Sequence, residues 1–183
     1  MEKKPVSKPF AYFVTFSIYG TWLHGADKGS VDKYHNQYNS EFLSANAGRK
    51  RYEIKNLKDV PFVLNKNHRR CALKSIKETC EYRGWVLHAV HVRSNHVHIV
   101  VSSETIPEKV LGDLKAYATR GLRSVFSQFV GRKIWTHHGS TKYIWTQKSL
   151  MEVIHYVIYE QGQSMEWWCR YDIQNPEQSP ERK

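Results

Sequence analysis

Cysteine is scarce. Cys71, Cys80 and Cys169 are the only three in 183 residues. An odd number without C-x-x-C spacing argues against a disulfide framework and for reduced thiols in a cytoplasmic protein. Long apolar runs are missing too. Nothing approaches the roughly 18 residues that a membrane-spanning helix requires, and no lipidation motif or amphipathic basic helix suggests a membrane partner. The opening MEKKPVSKPFAYFV has lysines but only a short, interrupted apolar stretch, so it does not read as a signal peptide. A G-x-x-x-x-G-K-[ST] phosphate loop is absent, and with it the expectation of a nucleotide cofactor. Acidic residues are the last shortage: 17 Asp and Glu stand against 28 Lys and Arg, a net charge of +11.

That imbalance is the first positive signal. A compact basic chain attracts polyanions, because neutralising phosphates releases condensed counterions. Aromatic residues make up 13% of the chain, with six Trp and eleven Tyr. Those not needed in the core are platforms on which unpaired bases can stack. Charge and aromatics together point to nucleic acid. With 40% hydrophobic and 25% charged residues the chain is globular. Its length suits one domain over 1–183, and no repeat or linker divides it.

Residues 10–18, FAYFVTFSI, alternate aromatic and β-branched types and predict a strand. A polar excursion over 24–60 follows, long for a connection. Ala72, Ile76 and Cys80 at helical spacing, stopped by Gly84, predict a helix from about Asn67 to Arg83. WVLHAVHVR and HVHIVVS flank Ser94-Asn95 as an antiparallel hairpin. A second helix opens near Pro107. It turns Val110, Leu114, Leu122, Val125 and Phe129 to the core and leaves Lys115, Arg120 and Arg123 off that stripe as DNA-binding candidates. KYIWTQ is a fourth strand, and SLMEVIHYVIYEQGQ a closing helix with Ser149 as N-cap and Gly162 near its stop. Residues 172–183 read as a solvated tail. The order β-α-β-β-α-β-α predicts an α+β fold. It is a ferredoxin-like antiparallel sheet with helices on one face and an added C-terminal helix, its core spanning about 10–163.

Strand alternation puts His96, His98 and Val100 on one face and Val97, Ile99 and Val101 on the other. The aliphatic face fits a core. The other allows two readings: imidazoles sharing a divalent ion, or a half-exposed strand that carries polar residues. His88 and His91 on the partner strand should point to opposite faces, so only one joins that surface; His91 is the neighbour, more simply structural. On the closing helix Leu150, Val153, Ile154, Val157 and Ile158 make the buried stripe. Tyr156 sits about 130° from its centre, on the flank, and Glu160, one turn later, projects from the same flank. Spacing alone leaves open whether this pair serves a site or Tyr156 is a boundary residue.

In order, YFVTFSIYGTWL, LHAVHVRSNHVHIVV, LGDLKAYATRGL, IWTHHGSTKYIW and YVIYEQGQ resemble a known family. It comprises the small HUH-motif (His, bulky hydrophobic, His) tyrosine transposases of the simplest bacterial insertion sequences and their REP-associated relatives. The likeness covers about residues 10–163. It implies a ferredoxin-like fold and a metal-dependent transposase acting on single-stranded DNA with hairpin ends. Cutting and rejoining would pass through a covalent 5′-phosphotyrosine, which keeps the phosphodiester energy and needs no ATP. By the resemblance Tyr156 is the catalytic nucleophile, and His96 and His98 are ligands of Mg2+ or Mn2+. The family often has Gln or Asn as a third ligand four residues after the tyrosine; here Glu160 stands there and Gln161 follows. Helix geometry favours Glu160, with Gln161 the alternative because it falls near the buried stripe. Tyr159 is rotated away and is the weaker nucleophile. Many relatives pair, so a homodimer is expected. A replication-initiator or relaxase-type nickase shares this chemistry but usually brings extra domains not expected in a chain of this length. A catalytically silent DNA-binding protein is the reading from another class, against which intact His96, His98 and Tyr156 stand.

Overall fold

The computed structural model describes residues 8–21, 48, 51–52 and 55–171. Most of the 24–60 excursion and the 172–183 tail lie outside the described residues. Strand β1 (Ala11–Ser17) follows its alternation, with Tyr12, Val14 and Phe16 buried on one face and Phe13, Thr15 and Ser17 on the other. Helix α1 (Lys66–Arg83) starts just ahead of the expected residue because a reciprocal cap sets it. The Asn65 side chain accepts from His68 N at 2.9 Å, and His68 Nδ1 accepts from Asn65 N at 3.3 Å. Gly84 ends it at φ 67°, a left-handed turn that glycine adopts without a Cβ penalty.

The hairpin of β2 (Val86–Val92) and β3 (His96–Ser102) leads into helix α2 (Pro107–Val125). Val110, Leu114, Ala118 and Leu122 form the buried stripe of α2. Val125 does not join it and is 64% exposed. The helix ends there, and Phe126 turns the chain into a short 3-10 turn, Ser127–Phe129, that returns Phe129 to the core. Helices α1 and α2 meet closely at Gly121, where a Cβ would stand 2.0 Å from Ser75 Oγ. After β4 (Ser140–Ile144) comes helix α3 (Gln147–Tyr159). Its N-cap is Thr146, not Ser149: the Thr146 hydroxyl accepts from Ser149 N at 3.1 Å, which puts Ser149 inside the first turn. A fifth strand, β5 (Glu166–Cys169), has no counterpart in the sequence reading.

The sheet order is β4-β1-β3-β2-β5, antiparallel at every pairing. The first four strands have the ferredoxin-like arrangement, and β5 extends it along β2. Helices α1 and α2 cover the face built from Val14, Phe16, Val90, Val97, Ile99 and Val101. Helix α3 lies on the other face, its Leu150, Ile154, Val157 and Ile158 packed on Ala11, Ala89, Val100 and Ile144. Each of those four side chains contributes about 1.5–3 kcal/mol to docking α3. No helix among the described residues is long and apolar enough to cross a membrane.

Candidate active site

The face under α3 is where β3 turns its histidines. His98 is paired in register with Thr15 of β1 and His91 of β2, so one row crosses three strands. His98 is 7% exposed, which removes the reading of a half-exposed strand. Phe13 stacks against its ring at 5.5 Å, His96 meets it edge-on at 4.6 Å, and Tyr156 lies 6.0 Å away across the top. A buried polar ring needs a partner, and His98, unlike the part-exposed His96, is buried. His98 Nδ1 is 2.8 Å from Thr15 Oγ1, and His96 Nδ1 donates to Asn95 Oδ1 at 2.7 Å. Burial, then the neighbouring His96, pull the His98 ring down to about 3, so at neutral pH it is the uncharged imidazole that can bind a metal.

His91 is fully buried and spends both nitrogens on structure. Nδ1–H donates to Val157 O in α3 at 2.8 Å, and Nε2 accepts from Met165 N at 3.2 Å. His88 does not face away as alternation predicts. A register shift between Leu87 and Ala89 interrupts the pleat, and the ring meets Ser102 Oγ at 2.7 Å and Tyr171 OH at 2.6 Å. Ser102 follows the parity of His98, so both histidines serve the α3 side.

Helix α3 brings Tyr156 to this row and holds its ring edge-on to Phe13 at 6.0 Å. Tyr156 is 40% exposed. Tyr159 instead lies on His155, with ring centres 5.0 Å apart. Glu160 sits at the C-cap with non-helical φ −99° and ψ 13°, so helical spacing stops before it. His155 Nδ1 donates to its carboxylate at 3.0 Å. Gln161 turns the other way: its Nε2 donates to Tyr156 O at 3.2 Å, and its side chain hydrogen-bonds His98. Among the described residues no three His, Cys, Asp or Glu side chains gather to hold an ion. The side chains on this face that could hold an ion are the His96 and His98 imidazoles, 4.6 Å apart, and the Gln161 amide. Such a set fits a divalent cation, since neutral imidazole and amide oxygen are both ligands of Mn2+-type ions.

The three DNA-binding candidates separate. Lys115 Nζ donates to Thr136 O, His137 O and His138 O at 2.6, 3.1 and 3.2 Å. Arg123 is likewise turned inward, to Phe129 O at 3.2 Å and Arg132 O at 2.9 Å. Arg120 lies over the Tyr117 ring at 4.7 Å, on the outer side of the α1–α2 pair. Sequence reasoning missed Thr15, Asn95 and Phe13. The parity of β1 places Phe13 and Thr15 together, but only the register sets them beside His98.

The family described as IS200-like transposases matches residues 54–161. No curated protein matches the chain. Two solved structures are similar at low identity. One is a REP-associated tyrosine transposase bound to a REP hairpin, 10% identical over 87% of this chain and 70% of that one, TM-score 0.47. The other is a candidate transposase from Deinococcus radiodurans R1, 12% identical over 86% and 95%, TM-score 0.47.

Proposed function

The chain belongs to the IS200-like transposases, and from that premise we propose that it cuts and rejoins single-stranded DNA with Tyr156 as nucleophile. The observation that carries the reading is one cluster: the Tyr156 ring 6.0 Å from His98, with Phe13 set against both rings. The Tyr156 oxygen attacks the scissile phosphorus, forming a P–O bond as the bond to the 3′ oxygen breaks. The phenol loses its proton and the departing 3′ oxygen gains one. The products are a 5′-phosphotyrosine and a free 3′-OH, and attack by a second 3′-OH reverses the step to join a new end. No ATP is consumed.

His96, His98 and Gln161 would hold Mn2+ or Mg2+, which supplies charge neutralisation at the scissile phosphate. Two imidazoles favour Mn2+ over the harder Mg2+. Phe13 and His98 frame the Tyr156 ring and limit its swing. Single strands with hairpin ends follow from the resemblance, and the net charge of +11 supports binding to a polyanion. Two DNA ends must meet, so a homodimer is the working assembly.

Tyr156→Phe removes one hydroxyl from an exposed position. Folding and single-strand binding should survive, while the covalent protein–DNA adduct formed with Mn2+ disappears; Tyr159→Phe should keep it. An adduct that persists in Tyr156→Phe and vanishes in Tyr159→Phe would overturn the assignment.

A further inference from the structure

Thr15 carries no motif and belongs to no part of the chemistry described so far. We propose that it is a positioning residue whose hydroxyl decides which nitrogen of His98 bears the proton, so that Nε2 can bind the divalent ion. The proposal rests on the reading of His98 as a metal ligand.

A neutral imidazole has one N–H donor and one bare acceptor nitrogen. In His98 the Nδ1 position is taken by Thr15 Oγ1 at 2.8 Å. Nε2 is then the nitrogen left to face an ion. Without metal the proton can sit on either nitrogen, and the Thr15 hydroxyl can donate to Nδ1 or accept from it. With metal on Nε2 the proton must sit on Nδ1, and the same hydroxyl must accept it. A hydroxyl can do both, because it has one proton, two lone pairs and a free rotor. Asn95 Oδ1 beside His96 can only accept, so that bond takes the Nδ1–H form of His96. The two neighbouring rings thus have different partners: that of His96 only accepts, and that of His98 can donate or accept.

The surroundings leave Thr15 little freedom. It sits between β3 and β4, opposite His98 on one side and Ser140 on the other. Gly139 passes so close that a Cβ there would stand 2.7 Å from Thr15 O. Groups that hydrogen-bond the far nitrogen of a metal-bound histidine typically alter metal affinity 10–100-fold when removed.

The test compares Mn2+ affinity by calorimetry in the wild type, Thr15→Val, Thr15→Ser and His98→Ala. Thr15→Val should bind Mn2+ about 10–100-fold more weakly, and Thr15→Ser, which restores the hydroxyl, should recover most of that loss. Imidazole NMR with Zn2+ as a diamagnetic probe should show a His98 Nδ1 proton protected from solvent exchange in the wild type and in Thr15→Ser. Wild-type Mn2+ affinity in Thr15→Val, with affinity lost in His98→Ala, overturns the role of Thr15 alone. Unchanged affinity in His98→Ala overturns the metal site and this proposal with it. Equal losses in Thr15→Val and Thr15→Ser, or an unprotected Nδ1 proton in the wild type, also overturn it; that last readout needs no variant to fold.

Discussion

Replacing Lys115 with methionine keeps the apolar stem and deletes the ammonium, whose three protons all go to carbonyls of residues 136–138. Those carbonyls belong to the segment that leads into β4, so the lysine ties α2 to the strand beside Thr15. The carbonyls of His137 and His138 lie at the surface, where water can replace the lost donor. Thr136 O is part-buried and bonded at 2.6 Å, and stranding it costs about 1–3 kcal/mol. Burial, then Lys133, oppose the charge and pull the amine down to about 8, so methionine recovers part of the loss. The net expectation is a destabilisation of about 1–2 kcal/mol. Urea unfolding at pH 7, followed by tryptophan fluorescence, measures it. Single-strand binding over a salt series supplies the second readout. A lysine that contacts phosphate contributes about 0.7 to the slope of log affinity against log salt on single strands. Lys115→Met should leave that slope unchanged. Unaltered stability together with a slope reduced by about that amount would refute the inward reading and return Lys115 to the DNA surface.

Acid should destabilise the protein through His88. Burial, then Arg170, lower its ring from 6.5 to about 4, so the unfolded chain binds the proton more readily. Stability is full above pH 6.5 and falls as pH drops through 4, by about 3 kcal/mol at ~1.4 kcal/mol per pH unit; urea midpoints in His88→Gln should lack that component, and parallel profiles would count against it. Gly121→Ala should destabilise by about 1 kcal/mol, because overpacking against Ser75 outweighs alanine's helix preference. Adding Ser75→Ala should raise the melting temperature again, and a stabilised single variant would contradict the close approach. Mixing His98→Ala with Tyr156→Phe chains should not restore cleavage, since Tyr156 stands beside its own chain's His98; recovery would show that sites are shared between chains.

The histidine face was readable because it depends only on period-two alternation, and the Tyr156 flank because it depends only on ~100° per residue. Two departures lie where a period breaks. The shift at Leu87 and Ala89 moves His88 to a face that strict alternation denies it. The end of α3 at Tyr159 releases Glu160 from the flank and lets Gln161 turn to His98. Helical spacing located Lys115 and Arg123 off the core stripe, but long-range return of the chain, through residues 129–138, decided what they bind. Strand β5 is four residues long, and its partner is 74 or more residues away. Its pairing with β2 is a tertiary fact with no local period to announce it.

That pairing also bears on how the nucleophile is held. The segment between α3 and β5 is anchored at successive points: His91 to Val157 O and Met165 N, and Arg93 Nη1 to Gln163 O at 3.0 Å. Gly162, with φ 74°, is the turn that lets the chain reverse between these anchors. Moving Tyr156 to another chain's histidines would first strip Leu150, Ile154, Val157 and Ile158 from the sheet. It would also break the His91 bond at a fully buried position, leaving two polar groups without partners at about 1–3 kcal/mol each. These costs add to the loss of apolar contact, and nothing in the 160–165 turn offsets them. Gly139 and Gly162 stand at the two ends of the β4–α3 segment, where paired hinges would have to lie. Gly139, however, is packed on Thr15 O, and only Gly162 has open space around its Cβ direction, with Arg93 Nη2 at 3.9 Å. One free hinge beside a doubly anchored turn favours a tyrosine that stays with its own sheet.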